Sequence, residues 1–273
     1  LGLPHNMKAS SAYPVDSLRS GAFTQKYGIA TTIMDYARYN YVAQPGDKNI
    51  RFVRQLGPYD DYSIEWGYRY FGKSPEEEKE ILKNFVDEKS LNPMYMFGGY
   101  GNDPNSQTEN IGDDPVKASL YGIRNLKIVA KNLKEWTIEP KENYNELNEL
   151  YGELIGVYRR YVYHVLNLVG GIYDTPHNEN QKGVVRYVNV DIDKQLQALK
   201  FMEKNLWNTQ NWLMDKSLIS QIKAEGVLGS LQGLQLSAFN RILSVSKLNR
   251  MLSARESLEG DPLSVEELID NLF

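Results

Sequence analysis

The sequence predicts a mainly α protein with one small β-hairpin, on three observations. From Asp114 onward apolar residues recur at helical spacing through two long segments. Ser74-Pro75-Glu76-Glu77-Glu78 is a full helix start, with a serine cap, proline at the first position and acidic residues at the positive end of the dipole. After a Gly170-Gly171 break, Ile172-Tyr173 and Val184-Val185-Arg186-Tyr187-Val188 flank a polar turn, as two short paired strands would. With 273 residues, 41% of them hydrophobic, the chain can bury a sizeable core and is long enough for two domains. A net charge of −4 is too mild to point to nucleic acid or an anionic membrane as partner. No apolar run reaches the about 18 residues of a membrane span. The absence of cysteine excludes disulfides and thiolate metal sites. The 19 tyrosines fit best as amphipathic residues at the edges of a core.

Taken in order, Leu1-Gly2-Leu3-Pro4-His5 reads as a turn: Gly2 takes the left-handed conformation that ends a helix, and Pro4 stiffens the segment that delivers His5. Lys8 to Arg19 is polar and broken by Pro14, hence a loop. Ser20 to Ile33 reads as irregular structure leading into a turn at Met34, and Ala37 to Val42 as helical or extended up to Pro45-Gly46-Asp47. Residues 57–72 are an aromatic block with Asp60, Asp61 and Glu65 between the rings, expected to pack as core.

The helix opened by Ser74 should run to about Lys89, with Ile81, Leu82, Phe85 and Val86 on one face. Met94 to Asp114 reads as a boundary loop. Its alternating Asp103, Asn105, Gln107 and Glu109 hint at calcium, but Thr108 stands where an EF-hand needs glycine. Helices follow at Pro115 to about Trp136 and Asn143 to about Val169, their connection ended at Pro140. His164 falls on the second of these as a packed or surface residue, and His177 on the hairpin turn as an exposed one. Further helices are expected at Asp193–Leu206, Ser217–Glu225, Ser230–Leu252 and Ser264–Phe273, with Trp207 and Trp212 anchoring helices to one another.

The chemistry lies in the first thirty-six residues. Two histidines four apart share one helix face and can hold one metal, but a third ligand close in sequence requires the helix to stop and the chain to turn back. The motif H-E-x-x-H-x-x-G-x-x-H, with a methionine-bearing turn as its floor, solves that problem. Gly2-Leu3-Pro4-His5 has the form of its last third, and Met34 stands 29 residues after His5, followed by Tyr36. Gly-x-x-His alone arises by chance about once in several hundred positions, so the wider wording carries the weight. Leu1-Gly2-Leu3-Pro4-His5-Asn6-Met7-Lys8-Ala9-Ser10, Ala30-Thr31-Thr32-Ile33-Met34-Asp35-Tyr36, Leu56-Gly57-Pro58-Tyr59-Asp60 and Ile64-Glu65-Trp66-Gly67-Tyr68 together resemble a family of large bacterial zinc-dependent metalloproteases of metzincin type. Gly112-Asp113-Asp114-Pro115 and Tyr121-Gly122-Ile123-Arg124-Asn125-Leu126-Lys127 look like the same family's region after the catalytic domain.

The resemblance implies His5 as third zinc ligand, Gly2 as turn glycine, Met34 as Met-turn methionine, and Tyr36 as a phenol near the metal or a developing oxyanion. Asp60 or Asp61 would be an acceptor orienting a ligand histidine. Asn6 departs from the pattern, since many such enzymes carry an acidic residue there. The expected architecture is the C-terminal part of a metzincin catalytic domain over residues 1–110, then a helical domain over 111–273. The implied parent is an exported zinc metallopeptidase acting on protein or peptide. The present chain is expected to begin inside the zinc motif, to be inactive and to lose zinc without the first two histidines and the glutamate base, and to dock to the part carrying them. The alternative is a non-catalytic helical interaction or structural module. A sugar-active enzyme is disfavoured, because no pair of carboxylates stands in an acid-and-base setting.

Overall fold

Helices form where local signals are complete. Ser74 caps the helix Pro75–Lys89, its hydroxyl accepting from Glu77 N at 3.3 Å while the Glu77 carboxylate accepts from Ser74 N at 3.1 Å. Proline opens Pro58–Tyr68 and Pro115–Thr137 as well. The computed structural model describes residues 2–99, 101–137 and 143–272. Leu1, Pro140 and Phe273, each used above, lie outside the described residues. In chain order the helices are α1 (Gly21–Tyr27), α2 (Pro58–Tyr68), α3 (Pro75–Lys89), α4 (Pro115–Thr137), α5 (Asn145–Leu166), α6 (Ile192–Met202), α7 (Lys216–Ile222), α8 (Leu228–Ile242), α9 (Val245–Ser257) and α10 (Val265–Leu272). The strands β1 (Ile172–Asp174) and β2 (Tyr187–Asn189) pair antiparallel with Tyr173 opposite Val188. The protein is mainly α with a small hairpin, as its sequence predicts.

The chain packs as two units: 1–118 with 171–189 and 258–260, and 119–170 with 190–257 and 261–273. In the first, loops carry much of the core. Met7, Ala9, Leu18, Ile29, Ala30, Val42 and Ile111 are almost wholly buried although most lie outside helices. The hairpin belongs to this unit, and β2 is continued by a parallel bridge from Val188 to Glu259, with Asn189 N donating to Glu259 O at 2.9 Å. In the second unit α5 supplies the central face through Leu147, Tyr151, Leu154, Tyr158, Tyr161 and Val165. Gly122 lets α4 approach it, since a Cβ there would stand 2.5 Å from the Tyr161 ring. Buried phenols find partners: Tyr151 Oη donates to Leu213 O at 2.7 Å, and Tyr158 Oη to Asn205 O. Trp212 sits edge-on to Tyr158 at 5.7 Å, the anchoring role expected of it.

Four expectations change. The stretch Ser20–Ile33 contains α1, because Ser20 Oγ accepts from Phe23 N and Gly28 closes the helix at φ +73°. The helix expected over Ser230–Leu252 is two, α8 and α9. Ser244 Oγ turns back onto Arg241 O at 3.2 Å, and the Ser244 carbonyl starts α9 by accepting from Lys247 N and Leu248 N. The aromatic block is only half core: Tyr59 and Tyr62 are half-buried, whereas Trp66, Tyr68 and Tyr70 are exposed. His177 is half-buried, its Nδ1 at 3.1 Å from Thr175 O.

Candidate metal-site floor

The segment Gly2–Lys8 lies against two others, and Asn6 joins all three. Its backbone N donates to Met34 O at 3.1 Å, its Nδ2 donates to Met96 O at 2.9 Å, and its Oδ1 accepts from Gly98 N at 3.1 Å and Lys8 N at 3.2 Å. Asn6 is fully buried, and His5 beside it is exposed. The imidazole of His5 lies against the Tyr36 ring, centroids 4.5 Å apart at 37°. Gly2 turns at φ +71°, a conformation glycine adopts freely. Residues 29 positions apart in the chain, His5 and Met34, are thus held at one place through their neighbours.

The departure at Asn6 is now physical. A carboxylate has no N–H to offer the Met96 carbonyl, whereas an amide both donates and accepts. Replacing Asn6 by aspartate should therefore lower the stability of the first unit by about 2–4 kcal/mol, since it sets a buried charge against a carbonyl. Urea unfolding measures this, and an unchanged midpoint would contradict the assignment of the amide.

The Met34 turn is fixed from below. Asp60, buried in the first turn of α2, accepts from Thr32 Oγ1 at 2.5 Å, Ile33 N at 3.1 Å and Gly57 N at 2.9 Å. Thr32 Oγ1 in turn accepts from Met34 N at 3.0 Å. Asp60 therefore holds the turn that carries Met34, and among the described residues its hydrogen bonds go to Thr32, Ile33 and Gly57; Asp61 is exposed. Gly57 is needed for closeness, as a Cβ would stand 2.3 Å from Thr31 O. On the other side Asp35 is buried and accepts from Ser10 N and Ala37 N, both at 2.8 Å. Burial pushes its carboxyl up to about 6, against the pull of those hydrogen bonds. Arg54 Nη1 donates to Ile33 O at 2.8 Å and also to Asp35 O.

Sequence reading missed Asn6 as a junction, Asp35 and Arg54 as supports, and Lys8. Lys8 is buried, its Nζ 2.6 Å from Asp103 Oδ2 and 2.5 Å from Asp174 O. Asp103 gives its other oxygen to Asn105 N at 2.8 Å, so the carboxylate that hinted at calcium is engaged within the protein. Nothing in the sequence pairs positions 95 residues apart. Among the described residues no group of three or more His, Asp or Glu side chains is arranged to hold a metal ion. His5 fits the role of a single imidazole ligand, and a zinc site needs three or four.

A family model described as Met-zincin matches residues 1–273. No curated protein and no solved structure matches the chain.

Proposed function

The chain belongs to the Met-zincin family, and from that premise we propose that it supplies the third zinc ligand, His5, and the Met-turn of an exported zinc-dependent metallopeptidase. The sequence H-E-x-x-H occurs nowhere in the 273 residues. On this reading the first two histidines and the glutamate base come from outside them, and these residues alone are catalytically silent. One observation carries the proposal: the Asn6 N to Met34 O hydrogen bond at 3.1 Å joins the segment of His5 to the turn of Met34, with Tyr36 against the His5 ring. In such enzymes the metal activates a water for attack on a peptide carbonyl.

What this chain contributes is position. Asn6 and Asp60 fix the two loop segments of the floor, so the His5 ring stands on a hydrogen-bonded support. Tyr36 restricts that ring on one face and presents a phenol beside it, where it can donate to negative charge developing on a substrate oxygen.

The test is the protein expressed with its upstream coding sequence, as such and as His5→Ala. The expected result is about one zinc per chain and cleavage of an unfolded protein, both lost in the variant. Zinc and activity retained without His5 would remove the residue from the site.

A further inference from the structure

The two segments that hold His5 and Met34 also wall a separate cavity in the same unit. Met96, whose carbonyl takes the Asn6 amide, and Tyr59, whose N donates to Thr31 O at 3.0 Å, face a space of ≈ 340 Å³. Tyr62 is its hub, stacked on Phe85 at 5.2 Å and 15°, with Tyr95 at 5.4 Å and Tyr59 at 5.7 Å. Val86 and Phe97 complete this side. The opposite wall is the hairpin turn, through Pro176, His177 and Gln181. That turn is latched to the end of α3: Asn178 Nδ2 and Asn180 Nδ2 donate to the two oxygens of Asp87, and Gln181 Nε2 donates to Asp87 O and Ser90 Oγ, both at 2.9 Å. The hydrogen bonds from Asn180 and Asn178 hold the Asp87 carboxyl below its ordinary value.

The chemistry of the walls narrows the occupant. No carboxylate is among the described residues lining the cavity. Lys89 Nζ lies over the rings of Phe85 at 4.9 Å and Tyr95 at 5.5 Å, so π-faces that would draw a cationic ligand already hold a cation. Burial raises the Tyr59 phenol to about 12 and raises that of Tyr62, which keeps both neutral. A dry cavity of about 150 Å³ already accepts benzene, and sites for whole small molecules begin near 300 Å³. At ≈ 340 Å³ this one is large enough for a single ring with its methylene.

We infer that the cavity takes an uncharged aromatic or long apolar side chain of the polypeptide substrate, and that Tyr62, Tyr95 and Phe97 set the preference. The word substrate rests on the metallopeptidase reading; the binding preference does not. The test titrates the 273-residue protein with N-acetyl-phenylalaninamide, N-acetyl-alaninamide and N-acetyl-lysinamide, following aromatic-ring resonances by NMR. The phenylalanine probe should saturate shifts of Tyr62, Tyr95 and Phe97, with the other two at least about tenfold weaker. Val86→Trp, which fills the space, should abolish binding. Phe97 is 42% exposed, so Phe97→Ala tests the same wall with little demand on folding, and should weaken binding several-fold. Equal binding of the alanine or lysine probe, or unchanged binding in folded Phe97→Ala, would overturn the inference. His5→Ala should leave probe binding intact, which separates failure of the metal-site reading from failure of this one.

Discussion

Asp60→Ala should cost the first unit about 3–5 kcal/mol, the largest loss expected from any single change near the Met34 turn. The carboxylate is 5% exposed and serves three donors, Thr32 Oγ1, Ile33 N and Gly57 N. Alanine leaves all three without an acceptor in a place where Thr32 is fully buried and Gly57 is too tightly packed for water to take over. Bonds to a charged acceptor contribute roughly 1.5–3 kcal/mol each, and less than their sum when they share one group. Asp60→Asn keeps the shape and one acceptor oxygen but turns an N–H₂ toward at least one donor, so it should lose about half as much. Chemical unfolding followed by tyrosine fluorescence reads both. A loss below about 1 kcal/mol for the alanine variant would mean that the turn is held by something else. The same variant should also blur the His5–Tyr36 contact, visible as a wider spread of His5 ring shifts, because Met34 N hangs from Thr32 Oγ1 and Met34 O receives Asn6 N.

The second large effect is a pH dependence in the helical unit. Lys247 on α9 is 7% exposed and its Nζ donates to Val169 O at 2.7 Å, in the turn that follows α5. Burial first, then the charges of Arg250 and Arg241, push its ammonium down from 10.5 to about 7. The unfolded lysine therefore holds its proton over a pH range in which the folded one has released it. With more protons on the unfolded state, stability rises with pH between about 7 and 10.5, the full penalty being present below 7. The slope should approach 1.4 kcal/mol per pH unit in mid-window. Measurement is best confined to pH 7 to about 9.5, since phenols such as Tyr158, whose ionisation burial opposes, reverse the trend once unfolded tyrosines titrate near 10. Lys247→Met should flatten the rise and raise stability most at the low end, where the wild type buries a charge. A parallel pair of pH profiles would show that Lys247 is charged in the folded state throughout.

Much of the fold was legible because its determinants are local. The serine, proline and glutamates that open α3, the 3.6-residue spacing of α4 and α5, and the glycine pair before the hairpin each act within one or two turns of chain. A split such as that at Ser244 is harder to read, because a serine hydroxyl can serve the helix or leave it and its neighbours decide. The loop core of the first unit was illegible for a further reason: buried polar residues there look like ordinary loop residues until their partners arrive.

What the sequence by itself determined is the mainly α class, the positions of most helices, and the wording of the first thirty-six residues, with His5, Met34 and Tyr36 at their spacing. Only the tertiary structure decided what supports that segment. Asn6 meets Met96 across 90 residues, Lys8 meets Asp103 across 95, and Asp60 reaches back 28 residues to Thr32. Hydrogen bonds and ion pairs carry no periodicity along a chain. Which donor finds which acceptor depends on where the whole fold brings them and on burial that makes an unmet polar group costly.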